Sequence, residues 1–434
     1  MQLTEEQILA LAPDESSKKS GKDLSNPSKW VSKGINEIAL WGECQGSGSK
    51  PYQTQVDINN IAFKCSCPSR KFPCKHGLGL LLLHAKNSNI FTSSDAPAWV
   101  TEWISKRTEK EEKSGEKIDK PVDEGAQAKR LQAREQSVEE GIEELLLWMK
   151  DIVRNGILSM PEKGATFFIS MSKRLVDAKA PALAGMVKSL GNINFYAEGW
   201  QSLFIDQLAR IYLVFAGYKN KTQLPSLLLE DIRSNIGFAQ STEILKEQTG
   251  ITDTWLVLGK QTTEEDSLTT ERNWLYGTQS NQYALVLQFI IRGQGITFSL
   301  TPGLMIEAEL VFYTSVQPLR AIIKRQVASN AAAAFSAYAN WQQVAEAETI
   351  ITSQLPFSGE RPFIVKQLTP VPHANGWWLA DSEQKLVQLK DNYKFLYHIL
   401  ALSGGQPLNM AVLGKENLYE PMGVWSNDKY VMIG

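Results

Sequence analysis

The sequence predicts an α+β protein: an N-terminal ββα unit on a small antiparallel sheet, a helical middle region and a mixed α/β C-terminal domain. Three observations carry this. Three cysteines and a histidine sit between a hairpin signal and a leucine-rich run, within 52–84. Apolar residues at helical spacing dominate 138–236. From residue 253 the period becomes that of short strands with polar or Gly turns. The expected divisions are 1–105, a charged linker over 106–136, a helical region over 137–250 and a C-terminal domain over 251–434. A chain of 434 residues suggests two or three domains.

At the start, Thr4-x-x-Gln7 reads as a capping box for a short helix through Leu11. The Ser-, Lys- and Gly-rich stretch 14–33 reads as a loop, or a helix then a loop, and 35–41 as the first strand. Stretches 52–58 and 61–64 alternate around Asn59 and Asn60, a hairpin. Trp99, Val100, Trp103 and Ile104 mark a short amphipathic segment that docks on this unit. The stretch 106–134 has almost no large apolar residue and reads as a linker or solvated helix.

Ser137 and Glu140 read as a capping box opening a helix that Gly156 ends. Further helices are expected over 167–179, 182–190, 200–215 and 224–236. Strands are expected at 255–258, 273–276, 284–289 and 308–313, then a helix over 331–345. Strands at 363–365, 377–379 and 386–389, a helix over 392–402 stopped by Gly404 and Gly405, and strands at 410–413 and 430–433 complete the chain.

The chemistry concentrates in 65–76. Cys65, Cys67, Cys74 and His76 form two pairs, Cys-x-Cys and Cys-x-His, with six residues between them. On an extended chain the first pair would point to opposite faces, so the backbone must turn, and Pro68 and Ser69 supply the turn. On a helix, residues two apart also diverge, so Cys74 belongs just before a helix and His76 in its first turn. Three thiolates and an imidazole make a closed tetrahedral site, the arrangement of structural zinc, with no position left for a catalytic water. Buried thiols, or a disulfide with a spare cysteine, would leave unexplained why three of the four cysteines crowd beside one histidine.

This stretch resembles the SWIM-type zinc finger, whose signature is Cys-x-Cys, a variable spacer and Cys-x-His on a ββα unit. Cys65, Cys67, Cys74 and His76 fall on its four ligand positions. The lead-in from Trp41 to Tyr52 and the run from Cys67 to His76 resemble a bacterial subgroup of that family. The resemblance is strong over 25–90 and looser beyond. It implies one structural Zn2+ ion and contact with DNA or other proteins. In that subgroup, MoxR-type AAA ATPases and von Willebrand A-domain proteins are the implied partners.

Lys64, Arg70, Lys71, Lys75 and Lys86 surround the motif, with Phe63 and Phe72 interleaved. They read either as a phosphate-contacting patch, the candidates being Lys64, Arg70, Lys71 and Lys75, or as a solvated cationic face. The two Phe residues read better as core. Cys44 reads as a small buried residue on a strand. Gly42, Gly46 and Gly48 read as a hairpin loop, since no Lys-Ser/Thr follows them. His84 is about 12 Å from His76 along a helix, too far to share a metal. His373 and His398 stand alone, Glu264 to Asp266 reads as a solvated turn, and Trp377 with Trp378 as a packed strand pair.

The sequence contains no nucleophile elbow, phosphate loop, dinucleotide fingerprint or HExxH. The expectation is therefore a non-enzyme, a zinc-binding adaptor for protein–protein interaction, with nucleic-acid binding through the basic finger surface as the alternative. A net charge of −2 means the chain as a whole is no electrostatic glue for nucleic acid. Few cysteines, used as ligands, point to a reducing compartment. The polar, acidic start and the absence of a long apolar run point to a cytoplasmic protein without a membrane span.

Overall fold

The computed structural model describes residues 5–13, 15–46, 48, 50–59, 61–69, 71, 73–93, 95–115, 124–265, 268–291, 300–329, 335–373, 376–391, 393–427 and 429–433. Thr4, Asn60, Arg70, Phe72, Asp266 and Asn392, used in the readings above, lie outside this set.

The N-terminal part runs α1 (Glu5–Ala10), α2 (Glu15–Asp23), β1 (Trp30–Ile35), β2 (Ala39–Cys44), β3 (Tyr52–Asp57), β4 (Ala62–Cys65), α3 (Lys75–Lys86), β5 (Thr92–Ser93) and α4 (Ala98–Gly115). The sheet order is β4-β3-β2-β1-β5, antiparallel except where β5 joins β1. The single strand expected at 35–41 is split: Ile35 ends β1, Ala39 to Trp41 begin β2, and 36–38 form the turn between them. Asn36 Oδ1 accepts from the amides of Ile38 and Ala39 at 2.9 and 2.7 Å, so the Asn side chain closes the turn. Helix α3 is buried on every side from His76 to Leu83, covered by α1 and α2 and by the sheet. Val100 of α4 packs with Ala39 and Trp41, and Arg107 meets Asp57 at 3.4 Å, which fastens α4 to the sheet.

The middle part holds α5 (Glu124–Asn155), α6 (Met160–Asp177), α7 (Pro181–Leu190), α8 (Trp200–Lys219), α9 (Ser226–Ile236) and α10 (Thr242–Glu247). Ser137 does not open a helix. It lies inside α5, where its hydroxyl donates back to Ala133 O at 3.1 Å, and the charged run before it continues the helix. Gly156, at φ +79°, ends α5, and Pro181 starts α7. The core of these helices is aromatic: Phe168 meets Phe167, Trp148, Phe195 and Phe204 at centroid distances of 5.3 to 6.3 Å.

The C-terminal part opens with β6 (Ile251–Glu265), β7 (Leu268–Gly277), β8 (Tyr283–Ile291), β9 (Met305–Phe312) and β10 (Arg320–Ser329), which close a barrel in the order β10-β8-β7-β6-β9. Strands β6 to β8 form a meander, β9 lies beside β6, and β10 pairs antiparallel with β9 and parallel with β8. This is the connectivity of a five-stranded OB-type barrel. Next come α11 (Trp341–Gln354), β11 (Arg361–His373), β12 (Gly376–Ala380), β13 (Leu386–Leu389), α12 (Leu396–Ser403), β14 (Leu408–Lys415), β15 (Leu418–Ser426) and β16 (Lys429–Met432). They build a six-stranded sheet, β13-β12-β11-β14-β15-β16. One face of it carries Ile364, Ala411, Leu413, Met422 and Trp425 onto Leu256, Leu258, Trp274 and Tyr276 outside the barrel.

The helix expected at 331–345 begins only at Trp341, where Asn340 caps it by accepting from Gln343 N at 3.1 Å. Just before it, Tyr338 forms a bridge with Val365 of β11, which holds that part of the expected helix out of helical conformation. Residues 330–334 lie outside the described set. Strands β10 and β15 went unread. The first mixes Lys and Arg into its pattern, and the second holds Pro421 at a bulge opposite Val412.

Candidate metal centre

Three elements bring the four ligands together. Strand β4 ends at Cys65, whose partner in the ladder is Thr54 of β3. The chain turns through Cys67, Pro68 and Ser69. Cys74 then stands as the N-cap of α3 with extended backbone, and His76 lies in the first turn, as the pair spacing requires. Ser66 locks the start of the turn, its amide donating to Gln53 O and its hydroxyl accepting from Gln53 N, at 2.9 and 3.0 Å.

The three Sγ atoms and a ring nitrogen of His76 all lie within 4.8 Å of one another. The Nδ1 atom is 3.8 Å from Cys65 Sγ and 3.9 Å from Cys74 Sγ. A tetrahedral zinc with Zn–S of about 2.3 Å and Zn–N of about 2.0 Å needs ligand separations of about 3.5–3.8 Å. The donor set therefore fits one zinc ion, and its ligands are Cys65, Cys67, Cys74 and His76. Cys74 and His76 are buried, while Cys65 and Cys67 are half-buried.

Electrostatics prepares the site for a cation. Hydrogen bonding from Cys65 and Cys74 holds the Cys67 thiol far below its usual range. The same sharing among sulfurs, reinforced by burial, pushes Cys74 far up and Cys65 up to about 11. A divalent ion displaces the thiol protons, so metal and acid compete. Cys74 also sits at the positive end of α3, which favours thiolate.

Two supporting side chains were not singled out from the sequence. Thr54 Oγ1 lies 3.1 Å from Cys65 Sγ, and the Tyr52 ring lies 5.1 Å from that of His76. Their signal was the β3–β4 register, which sets Thr54 opposite the first ligand. Below the site, Gly77 lets Phe63 approach: a Cβ there would meet the Phe63 ring at 2.7 Å. Phe63 is core, at 2% exposure, rather than a stacking surface.

Lys64, Lys71 and Lys75 are exposed around the centre, and Arg70 lies outside the described residues. Lys86 is drawn away, to Glu5 at 3.2 Å. Cys44 is fully buried on β2, and burial raises its thiol pKa. His84 stacks edge-on against Phe91, and desolvation lowers its pKa. His373 stacks edge-on against Trp378. No helix among the described residues is long and apolar enough to cross a membrane.

Comparison with known proteins agrees with this geometry. Residues 52–85 match the family described as SWIM zinc finger. Residues 133–236 match the family described as SWIM-associated four-helix bundle domain. Searches of curated proteins and of solved structures found no match. The four ligands that converge on one metal position lie within the segment that matches the SWIM zinc finger, and the helical segment after it matches the bundle associated with that finger.

Proposed function

We propose that this chain is a non-enzymatic cytoplasmic adaptor whose zinc-braced finger holds a protein partner. The observation that carries the reading is a groove of about 620 Å³ on the finger sheet, lined by Val31, Trp41, Ile90, Pro97 and Trp99 together with Ser32, Lys33, Glu43 and Thr92. Val31 is 64% exposed beside it. A lining that mixes apolar groups with charges of both signs, Lys33 and Glu43, suits a protein surface better than a phosphate backbone, which a cationic lining would suit. The closed ligand set supports an architectural metal, since four protein donors leave no site for substrate. The family resemblance makes MoxR-type AAA ATPases and von Willebrand A-domain proteins the first partners to test. The experiment mixes the zinc-loaded chain with each purified candidate and measures binding by calorimetry. Binding that is lost in Trp99→Ala, and in protein stripped of zinc, supports the reading. Binding unaffected by both rejects the finger as the contact.

A second reading has support from Lys64, Lys71 and Lys75, each exposed in the finger. These cations suit DNA phosphates. Affinity for duplex DNA would then fall steeply with salt and drop on charge reversal at Lys71 and Lys75. DNA affinity indifferent to salt would remove it.

A further inference from the structure

The barrel of β6 to β10 lies outside both matched segments, and the C-terminal sheet packs on part of its outer face. Along β7 and β8 the outward residues run in register. Trp274 and Tyr276 pair with Leu285 and Tyr283, and these four lie under the C-terminal sheet. Further along the same strands, Thr270 pairs with Phe289 and Arg272 with Leu287, and here the cover ends. Phe289 is 57% exposed, an unusual position for a phenyl ring on a barrel strand.

Cations stand on both strands that flank β8. On β7, Arg272 donates to Thr263 Oγ1 at 3.1 Å. On β10, a register shift between Ile323 and Arg325 turns Arg325 outward opposite Glu309, where it is exposed. Neither arginine is within ion-pair distance of a carboxylate among the described residues, although the charge of Arg325 is one of those that hold the Glu309 carboxyl below its usual range.

We infer that this part of the outer face binds single-stranded nucleic acid over a few nucleotides. Phe289 takes the face of a base, and Arg272 and Arg325 take the phosphates on either side. An aromatic ring between cations is what a flexible, unpaired strand needs: every base has a π-face, and its backbone is anionic. In OB-type barrels the second and third strands form the ligand-binding face, and β7 and β8 hold those places here. Topology alone assigns no ligand; the exposed ring and the flanking arginines do.

The test uses the full-length, zinc-loaded chain and a fluorescein-labelled dT12 oligonucleotide, read by anisotropy at 50 and 200 mM salt. Binding should weaken about tenfold in Phe289→Ala, the size of one lost base stack, and return in Phe289→Trp. The Arg272→Ala/Arg325→Ala pair should reduce the salt slope by about 1.4, for two phosphate contacts on a single strand. Phe289 is exposed, so its replacement leaves the fold intact, and circular dichroism checks this. Cys74→Ser should leave dT12 binding unchanged, which separates this site from the finger. The inference is overturned if the chain fails to bind dT12 at 50 mM salt, if Phe289→Ala binds normally, if Cys74→Ser abolishes binding, or if only oligosaccharides bind the barrel.

Discussion

Helices α3 and α8 are both buried, and they are held in different ways. Helix α3 begins at a metal ligand, has no side-chain cap and is wrapped on every side by α1, α2 and the sheet. Helix α8 buries one stripe, Trp200, Phe204, Leu208, Ile211, Phe215 and Tyr218, in an aromatic core that uses no metal. The difference shows where cross-linking matters. The bundle closes on large rings that interlock. The finger must fix a strand end, a turn and a helix start around one point, and the described residues between Cys65 and Cys74 belong to no strand or helix. Yet the finger is not held by metal alone. Ile8, Leu11, Trp30, Leu40, Val56 and Phe63 join the leucines of α3 in one core. The expectation that zinc stabilises a unit too small to fold by itself therefore needs this apolar core added to it.

The strongest way to break the comparison is to remove a ligand. In Cys74→Ser or His76→Ala, zinc content should fall from one ion per chain to none. The loss is of order 10 kcal/mol of metal-linked folding energy in small fingers. Hydrogen exchange should rise through 52–86 while the amides of 137–236 keep their protection. Full zinc occupancy in either variant, or uniform melting of both regions, would sink the distinction. Zinc should also leave as pH is lowered, because protons compete for the three thiolates.

The reciprocal cut is in the bundle. Phe168 is fully buried among four other rings, so Phe168→Ala should cost about 3–5 kcal/mol in denaturant unfolding of the bundle. Zinc content should stay at one. A parallel loss of metal would mean that the two regions unfold together.

Smaller changes sharpen the boundary between metal and packing. Gly77→Ala puts a methyl against Phe63 and should cost about 1–3 kcal/mol with zinc retained. Unchanged thermal stability would mean that the ring moves aside freely. Thr54→Val deletes the hydroxyl beside Cys65 and should weaken zinc about tenfold in a chelator competition, with the fold kept. Equal affinity would show that the hydroxyl has no part in holding the sulfur.

The metal site was legible because its rule is local. Cys-x-Cys and Cys-x-His dictate a turn and a helix start within a dozen residues, and the structure puts Cys74 at the cap and His76 in the first turn. Helices α7, α8 and α9 were legible for the same reason, through apolar spacing, Pro181 and the residues that end them. What failed was non-local. Ser137 carried a capping signal, but the helix ran on through it. The helix expected from 331 starts only at Trp341, and Tyr338 before it bridges to β11 instead. Strand β10 has an unremarkable pattern and exists because β8 and β9 both pair with it.

The sequence by itself determined the ligand set, the fold class and the rise and fall of the helical region, because thiolate chemistry and apolar periodicity act over a few residues. Only the tertiary structure decided that five strands close into a barrel, that the C-terminal sheet packs on part of its outer face, and that Phe289 and Arg325 stay exposed. Those outcomes depend on contacts between segments as far apart as Leu258 and Tyr430, and no short stretch of chain encodes them.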